Sequence, residues 1–80
     1  MDRPFVTGDV VRLRAGDVTK RAMVVRIGDQ GRTLLVTFDG VFWPGNGYVA
    51  SMPLRQLDDG TFVELVGGRP IAVDLWRDDD

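Results

Sequence analysis

Gly8-Asp9-Val10-Val11-Arg12-Leu13-Arg14-Ala15-Gly16-Asp17 decides how the chain is read. Turn-forming glycine-aspartate pairs bracket it, and between them Val11 and Leu13 alternate with Arg12 and Arg14. A period of two puts the apolar side chains on one face of an extended strand and the arginines on the other. The pattern recurs down the chain. Arg21 to Ile27 sets Met23, Val25 and Ile27 opposite Ala22, Val24 and Arg26, and Thr33 to Phe38 turns Leu34, Val36 and Phe38 inward. Tyr48 to Met52 reads as a shorter fourth strand. Pro53 to Leu57 reads as a 3₁₀ turn that places Leu54 and Leu57 on the core.

Turn residues recur at short intervals, among them Gly28-Asp29-Gln30-Gly31, Asp39-Gly40, Pro44-Gly45-Asn46-Gly47, Asp58-Asp59-Gly60 and Gly67-Gly68. Such punctuation between β-branched runs is the mark of an all-β barrel or sandwich. Thr61 to Val66 and Pro70 to Trp76 form a hairpin around Gly67-Gly68-Arg69, with Glu64 and Asp74 on its solvent face. Residues 1–77 are expected to form one domain, the hairpin occupying 61–76, with Asp78-Asp79-Asp80 as an acidic tail at 78–80.

Eighty residues bury only roughly 60–65% of the surface the unfolded chain exposes, and a core of this size supplies about 3–5 kcal/mol. A two-stranded ribbon is marginal in water, so the hairpin must fold across the same barrel or pair with another subunit. Homo-oligomerisation through the hairpin or the fourth strand is the expectation that follows.

The chain has no cysteine and no histidine. Disulfides, thiolate nucleophiles, imidazole bases and the usual zinc ligands are thereby excluded. Ser51 has no histidine to activate it, and Asp58-Asp59 before Gly60 reads as a turn, without further oxygen ligands at calcium-loop spacing. The expectation is a non-enzyme with no cofactor, no metal and no catalytic residue. With no apolar signal core and no run of about 18 apolar residues, a cytoplasmic protein without a membrane partner is expected.

Net charge is −2, but residues 1–37 carry seven Lys/Arg against four Asp, and residues 38–80 carry three against eight acids. Two candidate binding surfaces emerge. Phe42, Trp43 and Tyr48, set among Gly40, Pro44, Gly45 and Gly47, form either a lid over one end of the barrel or an exposed aromatic patch on a loop. Arg12, Arg14 and Arg26, with Lys20 and Arg21 near the connecting turn, form a basic stripe suited to single-stranded nucleic acid, although the acidic second half opposes phosphate-driven affinity.

Phe5 to Gly16, with Met23-Val24-Val25 and Val36-Thr37-Phe38-Asp39-Gly40, resembles small bacterial SH3-like proteins of unknown function whose pattern begins with a glycine-aspartate-valine-valine entry strand; a glycine-aspartate turn entering a strand is common in KOW and Tudor-like barrels too. The resemblance covers roughly the first 57 residues and implies an SH3-like small barrel of about five strands, to which the hairpin would be an addition. Gly47 to Leu57 also looks like the fourth strand and 3₁₀ turn of eukaryotic SH3 domains. Ala50 and Pro53 stand where a proline and a tyrosine build the polyproline groove there, so proline-rich ligands are not expected. Val49-Ala50-Ser51-Met52-Pro53 is similar to the pore strand of the plasmid-borne type II dihydrofolate reductases, which form a tetramer. Ala50 and Met52 replace the glutamine and tyrosine that line the family's pore.

Together these readings favour an interaction module with a protein partner, able to self-associate. The alternatives are a nucleic-acid-binding barrel and an oligomeric reductase relative with an altered pore.

Overall fold

The computed structural model describes residues 5–43 and 47–77, with the side chains of 5–38 and 50–77. Six strands follow one another in sequence: β1 (Val10–Ala15), β2 (Val18–Gly28), β3 (Thr33–Trp43), β4 (Gly47–Gln56), β5 (Phe62–Glu64) and β6 (Pro70–Leu75). Each pairs antiparallel with the next, and β6 returns to β1 to close a barrel. The small all-β barrel expected from the alternation is the fold, built from six staves.

The interior is filled by the inward residues of all six strands. Val11 and Leu13 of β1, Val24 of β2, Val36 of β3 and Leu54 of β4 are fully buried, and Phe62 and Ile71 complete the core from β5 and β6. Removing these branched side chains from water is the main favourable contribution to a wall this thin.

Four expectations are corrected. The C-terminal hairpin is not an addition: Val11↔Leu75, Arg12↔Asp74, Leu13↔Val73 and Arg14↔Ala72 pair it with β1 of the same chain, and it supplies the fifth and sixth sides of the barrel. Second, β2 does not alternate throughout. Val24 pairs with Val36 and Arg26 with Leu35, leaving Val25 as an extra residue in a β-bulge. The bulge shifts the parity by one, so Arg26 turns out to solvent and Ile27 turns in against the core.

Third, β4 runs through Pro53 without a 3₁₀ turn, and only Leu54 of the two leucines is buried; Leu57 is 44% exposed. Pro53 is tolerated because its carbonyl accepts from Leu65 N at 3.1 Å. Its missing N–H therefore lies on the β5 side, opposite a residue beyond the end of β5. The single 3₁₀ turn among the described residues is Asp29–Gly31, between β2 and β3.

Fourth, β5 faces the other way from its apolar alternation. Phe62 and Glu64 point inward, while Leu65 and Val66 are 50% and 65% exposed. The register Phe62↔Ile71 decides this, because placing the aromatic ring in the core fixes every second residue after it. Glu64 is consequently 2% exposed, and no buried side-chain nitrogen or oxygen among the described residues lacks a hydrogen-bond partner. Asp74 remains on the solvent face.

Candidate binding groove

The barrel wall has a seam, and the lengths of β5 and β6 create it. β5 meets β6 only at Phe62↔Ile71 and Val63↔Pro70. Before Phe62 the chain turns back toward β4 through Asp58-Asp59-Gly60, with Leu57 N donating to Thr61 O at 2.7 Å. β6 meanwhile continues to Leu75 along β1.

Two backbone bonds settle where the amides of β6 point. Trp76 N donates to Val10 O and Glu64 N donates to Arg69 O, each at 2.9 Å. In an antiparallel strand successive residues address opposite edges, so Ala72, Asp74 and Trp76 face β1 while Arg69, Ile71, Val73 and Leu75 face the other way. Ile71 meets β5. Val73 and Leu75 have no ladder partner on that edge among the described residues.

Along this edge lies a groove of about 1170 Å³. Its apolar lining is Phe5, Phe62, Ile71, Val73 and Leu75. Phe5 packs against the core and meets Phe62 edge to face, with ring centroids 6.0 Å apart and planes at 67°, a preferred aromatic geometry. Gln30, Gly31 and Arg32 enter from the 3₁₀ turn, where Asp29 and Gln30 hold φ of 50° and 57°. Gln56 Nε2 donates to Gly60 O at 3.2 Å and pins the opposite lip.

Charge around the groove is dominated by arginine. Among the described residues Arg12, Arg32 and Arg77 line it with Asp74, and Asp58 stands against Arg32, three positive charges to two negative. Arg12 lies 3.8 Å from Asp74, and Arg32 pairs with Asp58 at 3.0 Å. The Arg32–Asp58 pair is solvent-exposed and the Arg12–Asp74 pair is long and partly exposed, so both contribute little to stability.

The residues expected to bind are distributed differently. Arg12 and Arg14 share the outer face of β1, but the third member of the row is Arg21, opposite Arg12, and not Arg26. The Arg21 guanidinium carbon stands 5.7 Å from the centre of the Trp76 ring, within cation–π range. Arg26 lies opposite Leu35 on the β2–β3 part of the wall, and Lys20, opposite Leu13, has the inward parity. Phe42 pairs with Tyr48 and Trp43 with Gly47 in the β3–β4 ladder; the side chains of Phe42, Trp43 and Tyr48 lie outside the described residues. Met52, where the reductases place a pore tyrosine, is buried, and Ala50 and Ser51 are exposed.

Asp58 and Asp59 form a turn, as expected. Asp59 Oδ1 accepts the Thr61 backbone N–H at 2.9 Å. That bond, with the Thr61 hydroxyl, holds the Asp59 carboxyl below the ordinary aspartate range. Among the described residues no three His, Cys, Asp or Glu side chains gather where they could hold a metal ion, and no helix is long and apolar enough to cross a membrane.

Phe5, Gln30, Arg32, Thr61 and Arg77 carry no motif that marks them as partners. They come from separate turns and flanks of the sheet, and only closure of the barrel brings them beside β6. No protein-family model, curated protein or solved structure matches the chain.

Proposed function

We propose that the protein is a non-enzymatic binding module that receives a segment of a protein partner in the groove beside β6. One observation carries this reading: the strand edge at Val73 and Leu75 runs along a groove with apolar side chains on its floor and polar and arginine side chains at its border. Exposed edges are ready templates for pairing with another chain, and grooves on small rigid barrels suit extended partners.

The test is an amide chemical-shift titration of the isotope-labelled protein against a panel of extended eight-residue peptides of varied charge. Binding in the groove moves Val73, Leu75, Gly31, Arg32 and Thr61 together. If no peptide moves these amides, or if the shifts cluster at the β1–β2 turn instead, the reading is wrong.

One observation favours a second reading. The row Arg21–Arg12 with Arg14 runs beside the half-exposed Trp76 ring, and a base stacked on tryptophan beside arginines is a mode of single-strand binding. This reading requires oligothymidine binding that weakens steeply with salt. Binding unaffected by Trp76→Ala would remove it.

A further inference from the structure

We infer that the occupant of the groove is an acidic, extended peptide segment of a partner protein that adds to the Val73–Leu75 edge as another strand. The inference rests on the binding-module reading and names the chemistry of the partner. Three features converge on it.

The first is the backbone. Val73 and Leu75 present their N–H and C=O groups to the groove, at the two-residue spacing of about 6.8 Å that an antiparallel or parallel strand repeats. A partner strand satisfies both residues at once. A small molecule too short to span the two residues would not.

The second is the two-sidedness of the site. Side chains of an added strand would alternate between the floor, where Phe5, Phe62 and Val73 form an apolar bed, and the outer rim, where Arg12 and Asp74 lie on the outward face of β1 and β6. A ligand that alternates apolar and acidic residues meets both surfaces. Its sequence period is that of a strand.

The third is charge. Among the described residues Arg12, Arg32 and Arg77 outnumber Asp74 and Asp58 at the groove, and the exposed Arg32–Asp58 pair and the long Arg12–Asp74 pair can exchange carboxylates with a ligand at little cost. A second copy of this chain docking edge to edge would bring the same arginines together, and like charges across a pairing are unfavourable. Nucleic acid offers phosphates, but it has no row of amides to match the strand edge.

The experiment uses the full chain and a fluorescent octapeptide alternating glutamate with valine, read by anisotropy, with Val73 and Leu75 amide shifts as the site marker. Three comparison probes are the same peptide with lysine for glutamate, the acidic peptide N-methylated at the residues facing β6, and oligothymidine. The expected result is that the acidic peptide binds and shifts Val73 and Leu75, N-methylation weakens it by about tenfold or more, the lysine peptide does not bind, and Arg77→Glu weakens binding without lowering the melting temperature.

Equal affinity for the N-methylated peptide would overturn strand addition. Equal or better binding of the lysine peptide, or displacement by oligothymidine from the same amides, would overturn the acidic-peptide assignment. If a non-acidic peptide moves Val73 and Leu75 while the acidic one does not, this inference falls and the binding-module reading stands. If no peptide moves them, both fall.

Discussion

The carboxylate of Glu64 lies 3.5 Å from the point where a side chain on Gly67 would begin. It sits on the inner row Leu34–Leu54–Glu64, beneath the turn that links β5 to β6. The backbone above is tied to the same residue: Glu64 N donates to Arg69 O at 2.9 Å and Gly68 N donates to Glu64 O at 3.0 Å. The backbone of residue 64 thus ties the turn that starts the closing strand, and its buried carboxyl group sits beneath it.

Glu64→Leu is therefore expected to destabilise by about 1–3 kcal/mol, since it removes the hydrogen bonding of a buried carboxyl group. Glu64→Gln, which keeps an acceptor, should cost less. Gly67→Ala should cost about 1–2 kcal/mol because φ there is +92°. Urea melts of the three variants check the ranking, and a Glu64→Leu variant as stable as wild type would disprove the role assigned to the acid.

Deleting Val25 would remove the bulge and leave Val24, Arg26 and Ile27 opposite Val36, Leu35 and Leu34 in unbroken alternation, with Arg26 still on the solvent face. The variant is expected to keep a cooperative thermal transition, because Ile27 still turns in and no arginine enters the core. Arg26→Thr should stay within about 0.5 kcal/mol of wild type, as an exposed substitution. Circular-dichroism melts check both, and loss of the cooperative transition on deletion would mean that the wall needs the bulge itself.

Gln30 holds φ of 57° without being glycine. Gln30→Gly relieves a left-handed cost of about 1–2 kcal/mol and gives back part of it as unfolded-chain entropy. The net expectation is a gain of about 0.5–1 kcal/mol, seen as a rise of a few degrees in melting temperature. A fall would show that the glutamine side chain outweighs its backbone strain.

Asp59 should titrate below the ordinary aspartate value, chiefly because of the Thr61 backbone N–H. Its folded pKa is depressed, so its contribution to stability is complete above the unfolded value and disappears as pH falls through the folded one. Thr61→Ala removes the hydroxyl but keeps the backbone donor, so the carbon-detected titration midpoint of Asp59 should move only part of the way back. A midpoint already at the ordinary value in the wild type would contradict the bond.

Much of the barrel was legible because Val11 and Leu13, then Leu34 and Val36, alternate with polar neighbours at an unbroken period. Legibility ended where the period breaks or misleads. Arg26 at an inward parity was the available sign of a bulge, since an arginine seldom belongs beside Val24. Pro53 suggested a strand end, yet its missing N–H faces a side where β5 has already stopped. In β5 the outward Val63 and Leu65 form a more apolar alternation than the inward Phe62 and Glu64, so local pattern favoured the wrong face and only the pairing of Phe62 with Ile71 reverses it. The groove was not legible, because Phe5, Arg32 and Arg77 are distant in sequence and meet through closure alone. The aromatic expectation for Phe42, Trp43 and Tyr48 rests on side chains outside the described residues.

The pairing of β1 with β6 also sets the order in which the chain can be completed. It joins the first strand of the sheet to the last, so the ladder with the largest sequence separation is the one that seals the interior. Such non-local topology belongs to the slower folders, with times of about milliseconds to seconds. A nascent chain that has emerged only as far as β5 has its first strand, with Val11 and Leu13, still open along one edge. The ribosome must release nearly the whole sequence before this protein can have an inside.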